Sequence, residues 1–324
     1  MASAAIVLAL LNGLPVPAVR AAEPARCARS TEAAASLLKL RRVLAAGRFV
    51  AYQPTDIRIV DGRASRADEA GIEADLRVLR PHFDGLLTYG AGNGADRVAD
   101  VAARLGFRAV VIGVWQIEDG EELDLALAAA RRHPAIVLGL SIGNERVLAN
   151  KVGFDALARR IGDIRRRAPS LLLTTTEPFH LFQTPAARPL LAQADFLLMN
   201  VHPAFQPWFR DAPAANAADF VVNVVRDTTA LFCGPVIVKE TGVPTAPATM
   251  GFTPDRQQAF YAELRRRFPA RPDASFAYFS AFDAAWRVAD SHPVEGAQPQ
   301  EGSWGLFTER RLPKPAASDL PRLR

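Results

Sequence analysis

Ile136-Val137-Leu138-Gly139-Leu140-Ser141-Ile142-Gly143-Asn144-Glu145 is an apolar run that stops abruptly in an amide and an acid. Its short apolar body, bounded by turn and charge signals, predicts a buried strand from Ile136 to Ile142. A carboxylate directly after a buried strand is costly unless it reaches a polar cavity. Downstream, Pro235-Val236-Ile237-Val238-Lys239-Glu240 repeats the pattern and ends in Glu240.

Working outward, similar runs recur at Phe49–Gln53, Gly85–Tyr89, Ala109–Trp115, Leu171–Thr176, Phe196–Val201, Val236–Lys239 and Phe276–Phe282. Helix-length segments separate them, among them Ala67–Arg80, Ala95–Leu105, Glu121–Arg132 and Pro254–Phe268, with Ser65 and Thr253 as N-cap candidates. Strand and helix alternating in this way predict a parallel sheet, and eight strands close a (β/α)8 TIM barrel. The expected organisation is a secretory leader over 1–21, an N-terminal helix over 30–47, one catalytic barrel over 48–310 and a Pro-containing tail over 311–324. No clear helix follows the eighth strand; the N-terminal helix is expected to cover that gap or the barrel's bottom.

The chain has 324 residues, 49% hydrophobic and 23% charged, which excludes a disordered chain and a polytopic membrane protein. The net charge of +5 comes largely from arginines in runs such as Arg165–Arg167 and Arg265–Arg267, each near the end of an expected helix, where cations suit the dipole. No nucleic-acid partner is indicated. Residues Ala4 to about Leu14 are apolar and lead into Pro15, Pro17 and the small residues Ala18–Ala22, a pattern of export with cleavage after Ala21. That stretch is too short to span a bilayer, so an exported, periplasmic or extracellular monomer without a membrane span is expected. Two cysteines, Cys27 and Cys233, leave a single bridge and two free thiols both open.

In a barrel, chemistry sits at the C-terminal strand ends. The unusual residues collect there: Tyr52 and Gln53, Tyr89, Trp115, Asn144 and Glu145, Glu177, Asn200 and His202, Glu240, and Asp283 with Trp286. All four tryptophans (Trp115, Trp208, Trp286, Trp304) lie at or just beyond such ends. Aromatic faces ringed by carboxylates and amides suit a sugar, whose C–H faces stack while its hydroxyls take hydrogen bonds. Glycosidic cleavage needs two carboxyls in opposite protonation states, and Glu145 and Glu240 are the candidates.

The motifs Gly143-Asn144-Glu145, Lys239-Glu240-Thr241-Gly242-Val243-Pro244, Ala281-Phe282-Asp283-Ala284-Ala285-Trp286-Arg287 and Glu301-Gly302-Ser303-Trp304-Gly305-Leu306 resemble glycoside hydrolase family 17. Leu87-Thr88-Tyr89-Gly90 and Thr176-Glu177-Pro178-Phe179-His180 add to the likeness, which runs from about Phe49 to Phe307. The resemblance implies a retaining (β/α)8 enzyme on β-1,3-linked glucan, a hydrolase or alternatively a glucanosyltransferase, with neither metal nor cofactor. It implies Glu145 as acid/base, Glu240 as nucleophile and Asn144 as the partner of the sugar 2-hydroxyl. The substrate-binding candidates are then Asn144, Tyr52, Tyr89, Trp115, Glu177, His202, Asp283, Trp286 and Trp304. The chain departs from the family at Val243, where a tryptophan is common, and at His202, where many relatives have a tyrosine. Linkage preference therefore stays open.

Rival readings explain less. Gly139-Leu140-Ser141-Ile142-Gly143 matches a nucleophile elbow, with Asp283 and His292 to complete a triad, but no helix follows at once. Gly90-Ala91-Gly92-Asn93-Gly94 lacks dinucleotide-loop spacing. His82, His133 and His180 are scattered, which argues against a metal site. A barrel that binds glucan without cleaving it would be expected to lack one carboxylate, and both are present.

Overall fold

The computed structural model describes residues 30–60, 62–268, 271–290 and 298–323. Eight parallel strands form a closed barrel: β1 (Phe49–Ala51), β2 (Gly85–Leu87), β3 (Ala109–Val114), β4 (Val137–Asn144), β5 (Leu172–Pro178), β6 (Leu197–Asn200), β7 (Val236–Glu240) and β8 (Ala274–Tyr278). Closure runs through β1 and β8, with Phe49 opposite Ala277 and Val50 opposite Tyr278. The expected (β/α)8 architecture is the one observed.

Helix α1 (Ala34–Ala46) precedes the barrel, and α2 (Glu69–Leu79), α3 (Val98–Arg104), α4 (Gly120–Arg132), α5 (Phe154–Arg167), α6 (Arg188–Gln193), α7 (Ala214–Thr229) and α8 (Pro254–Arg267) fill the seven crossovers. Sequence chemistry sets their ends. Thr253 caps α8, its hydroxyl accepting from the Arg256 N–H at 3.2 Å, with Pro254 in the first turn. For α2 the cap is Asp68, at 2.7 Å from the Gly71 N–H, and not Ser65. Ser65 instead bonds Arg58 and Asp56 beside a short antiparallel ribbon (Ile59–Val60 with Arg63–Ala64) between β1 and α2. The arginine runs occupy the last turns of α5 and α8.

Two layers of core follow from the alternation of strand side chains. Inside the barrel, Phe49, Leu87, Val111, Leu138, Leu172, Leu198, Ile237 and Ala277 pack together, and Leu37, Leu40, Val43 and Leu44 of α1 join them. Helix α1 thus plugs the barrel's bottom; Arg41 is tied there to Asp273, just before β8, at 2.8 Å. The outer layer packs the helices on the sheet. The gap after β8 is filled by the tail. Ala316, Ala317 and Leu320 are buried, Arg311 reaches Asp75 of α2 at 2.8 Å, and Gln258 of α8 bonds Asp319.

The eighth strand differs from expectation, ending at Tyr278 and not at Phe282. Phe279, Ala281 and Phe282 continue the apolar run, but much of the backbone pairing over 280–283 turns to a new partner: Ser280 with Trp304 and Leu306, Ala281 and Asp283 with Phe307. Among the described residues no helix is long and apolar enough to cross a membrane. The expected leader and Cys27 lie outside the described residues; Cys233 is disulfide-bonded.

Candidate active site

Two irregularities in the barrel build the site. Along β4, Ser141 is opposite Thr174 while Asn144 is opposite Thr176, so β4 carries one extra residue. Gly143 adopts φ +83° and Glu145 φ +53°, left-handed conformations that turn the chain end inward. Along β7, Val238 is opposite Met199 and Glu240 opposite Asn200, so Lys239 is the extra residue. A bulge re-aims side chains that would otherwise point to opposite faces. Asn144 and Glu145, and likewise Lys239 and Glu240, thereby address one space.

The two carboxyls sit in contrasting surroundings. Glu145 accepts a hydrogen bond from the Asn200 amide at 2.8 Å. Burial, and then the charge of Glu240, pushes the Glu145 carboxyl above its ordinary range. Burial also pushes Glu240 upward, but His202, Lys239 and Arg287 outweigh it and hold that carboxyl below its ordinary value. His202 Nε2 lies 3.4 Å from Glu240 Oε2. The pair is thus biased toward one protonated and one ionised group, the condition for acid and nucleophile chemistry side by side.

Around them, Lys239 is buried, donates to Asn144 Oδ1 at 2.9 Å, and stands 4.1 Å over the Tyr89 ring. Burial pushes its pKa down to about 8. Arg287 lies over Tyr89 and Trp286. From Tyr89 a cavity of about 720 Å³ extends over the β1–β3 ends, lined by Gln53, Asn93, Gln116, Trp115 and Trp286. Trp115 is 45% exposed there. Its backbone is held by buried Glu122, which accepts from the N–H groups of Ala91, Trp115 and Gln116 at 2.7 to 3.0 Å. On the far side, β6 stands opposite β2 in the ring. Exposed Phe205 packs there against His202 and Trp304.

The structure therefore gathers Asn144, Glu145, Glu240, His202, Tyr89, Trp115 and Trp286 about one cleft. Four other candidates have their polar atoms taken up by the protein itself. Tyr52 is fully buried and gives its hydroxyl to Asp75 at 2.9 Å. Glu177 is fully buried and accepts from the N–H groups of Val147 and Leu148 at 2.7 and 3.2 Å, bracing the turn after Glu145. Asp283 pairs with Lys314 at 2.6 Å and anchors the tail. Trp304 is 1% exposed, wedged between His202 and Phe279, so it backs His202 and offers no face to a sugar.

Conversely, Lys239, Arg287 and Glu301 belong to the site without having been singled out, and Asn200, noted at its strand end but not as a substrate contact, is the partner of Glu145. Burial raises the Glu301 pKa, against the pull of His202 and Arg287. A lysine inside the apolar run before Glu240 was the readable signal for the first. The serine-hydrolase arrangement does not form. Ser141 is 1% exposed inside the barrel, its hydroxyl bonded to that of Thr176, and Asp283 serves Lys314. His292 lies outside the described residues. Among the described residues no group of three or more His, Cys, Asp or Glu side chains could hold a metal ion.

The sequence model of the BtgE/BtgC glycoside hydrolase domain matches residues 50–305, spanning the barrel and both glutamates. The chain belongs to this glycoside hydrolase family. The resemblance to family 17 agrees with the solved structures that share its fold. The family 17 β-1,3-glucanosyltransferase of Rhizomucor miehei is 19% identical, with a TM-score of 0.62 over 83% of this chain and 95% of that one. An endo-laminarinase from Formosa Hel1_33_131 is 16% identical, with a TM-score of 0.61 over 81% and 83%. A family 2 β-galacturonidase from Eisenbergiella tayi is 14% identical, with a TM-score of 0.63 over 84% of this chain and 50% of that one. No curated protein matches the sequence.

Proposed function

We propose that this glycoside hydrolase is a retaining enzyme acting on β-1,3-linked glucan, with Glu145 as acid/base and Glu240 as nucleophile. The observation that carries the reading is the opposite bias of two neighbouring carboxyls at the ends of β4 and β7. Glu240 attacks the anomeric carbon as Glu145 gives its proton to the leaving oxygen, forming a glycosyl ester. Glu145, now ionised, takes a proton from the incoming hydroxyl, whose oxygen displaces Glu240. Support for the linkage is the fold shared with a laminarinase and with a glucanosyltransferase whose active-site mutant is in complex with laminaritriose.

Transfer to a second sugar is the other reading, and the aromatic platforms favour it. Exposed Trp115 stands at the β3 end and exposed Phe205 beyond the β6 end, so a donor and an acceptor each have a stacking surface. Mass-resolved products from laminari-oligosaccharides decide between the two: shorter products alone mean hydrolysis, longer ones transfer. Glu240→Ala abolishes both, and turnover in that variant would overturn the mechanism. We also read residues 1–21 as a leader, so the exported form would begin at Ala22.

A further inference from the structure

We propose that Lys239 is a positioning residue that locks the amide of Asn144, so that only its amino group is presented to the sugar 2-hydroxyl. The inference rests on the glycosidase reading above. An ammonium has donors only, so the amide atom facing it at 2.9 Å must be the oxygen. Nothing else among the described residues takes the Asn144 amino group, which is left to donate into the cleft.

Lys239 is itself fixed. It is 1% exposed, lies 4.1 Å over the Tyr89 ring, and has Thr176 Oγ1 at 3.5 Å. That hydroxyl is in turn bonded to Ser141 at 3.0 Å. A buried ammonium needs compensation of this kind, and the two glutamates complete it. The β7 bulge that brings Glu240 into the cleft also brings the lysine beneath Asn144, so nucleophile and sugar clamp share one backbone feature. An amide with no fixed partner can swap its ends, and a sugar hydroxyl would then meet donor and acceptor indifferently.

The test compares an aryl β-laminaribioside with its analogue lacking the 2-hydroxyl on the reducing-end glucose. The wild type should prefer the first strongly in kcat/KM. In Lys239→Met that preference should fall about 10- to 100-fold, as expected for loss of one oriented donor. Because it is a ratio for one preparation, it does not depend on the fraction of folded enzyme. Lys239→Gln, which keeps a donor without the charge, should retain part of it, and adding Asn144→Ala to Lys239→Met should remove little more. An undiminished preference in both lysine variants, or fully additive losses, would overturn the inference alone. No turnover of either donor by the wild type would overturn both it and the glycosidase reading.

Discussion

Glu177 offers a quantitative test of the turn that carries Glu145. Its carboxyl is fully buried and accepts two backbone N–H groups, yet burial wins and its pKa is raised from 4.5 to about 7. At 1.36 kcal/mol per pH unit, that difference makes ionised Glu177 cost the folded state about 3.4 kcal/mol relative to the protonated form. The sign follows from proton counts. Between pH 4.5 and 7 the folded chain binds more protons at this site than the unfolded chain, so stability contributed here is complete below pH 4.5 and is lost as pH rises to about 7. Glu177→Gln does not titrate, and the backbone N–H that its amide nitrogen cannot accept adds a cost that is the same at every pH. Relative to wild type, the variant should therefore gain about 2 kcal/mol in unfolding free energy between pH 5 and 7.5. Urea unfolding followed by tryptophan fluorescence at several pH values measures it. Other buried acids, Asp75 and Asp283 among them, also have raised pKa values, but they are common to both proteins and cancel in the difference. Parallel pH profiles for the two proteins would refute the reasoning.

Removing His202 takes away the side chain whose hydrogen bond and charge keep Glu240 ionised. His202→Ala should move the acidic limb of kcat/KM to higher pH, and an unmoved limb would count against this pairing. Trp115→Ala should raise KM for laminari-oligosaccharides about five-fold with kcat nearly unchanged, since stacking is worth about 1 kcal/mol; steady-state kinetics over a chain-length series checks it. Arg311→Met leaves the fully buried Asp75 with Tyr52 and Thr55 as its donors among the described residues. Its urea midpoint should fall by the equivalent of about 3 kcal/mol, and a loss of a few tenths would mean the tail is an ornament on the barrel.

The barrel was legible because a parallel sheet buried on both faces writes each strand as an apolar run. The same property blurred the end of β8, since Phe279, Ala281 and Phe282 carry the apolar run onward although much of the backbone there pairs with residues 304–307. The tail was opaque for a different reason. Pro313 and Pro315 break any helical period, and only Ala316, Ala317 and Leu320 are left to signal burial in the place of an eighth outer helix.

For the site, Glu145 and Glu240 were readable because a charge at the end of an apolar strand has few structural explanations. Their neighbours were not, because side-chain direction at a strand end depends on phase. In a regular strand Lys239 and Glu240 would point to opposite faces, and the lysine would be assigned to the helix layer. One extra residue against β6 reverses that assignment, and nothing in Val236–Glu240 marks the bulge. Phase also separates Tyr89, whose ring lies under Lys239, from Tyr52, whose hydroxyl goes to Asp75 of α2, although both follow apolar strands. Residue type at the rim thus identified the chemistry, whereas the two bulges decided which side chains take part in it.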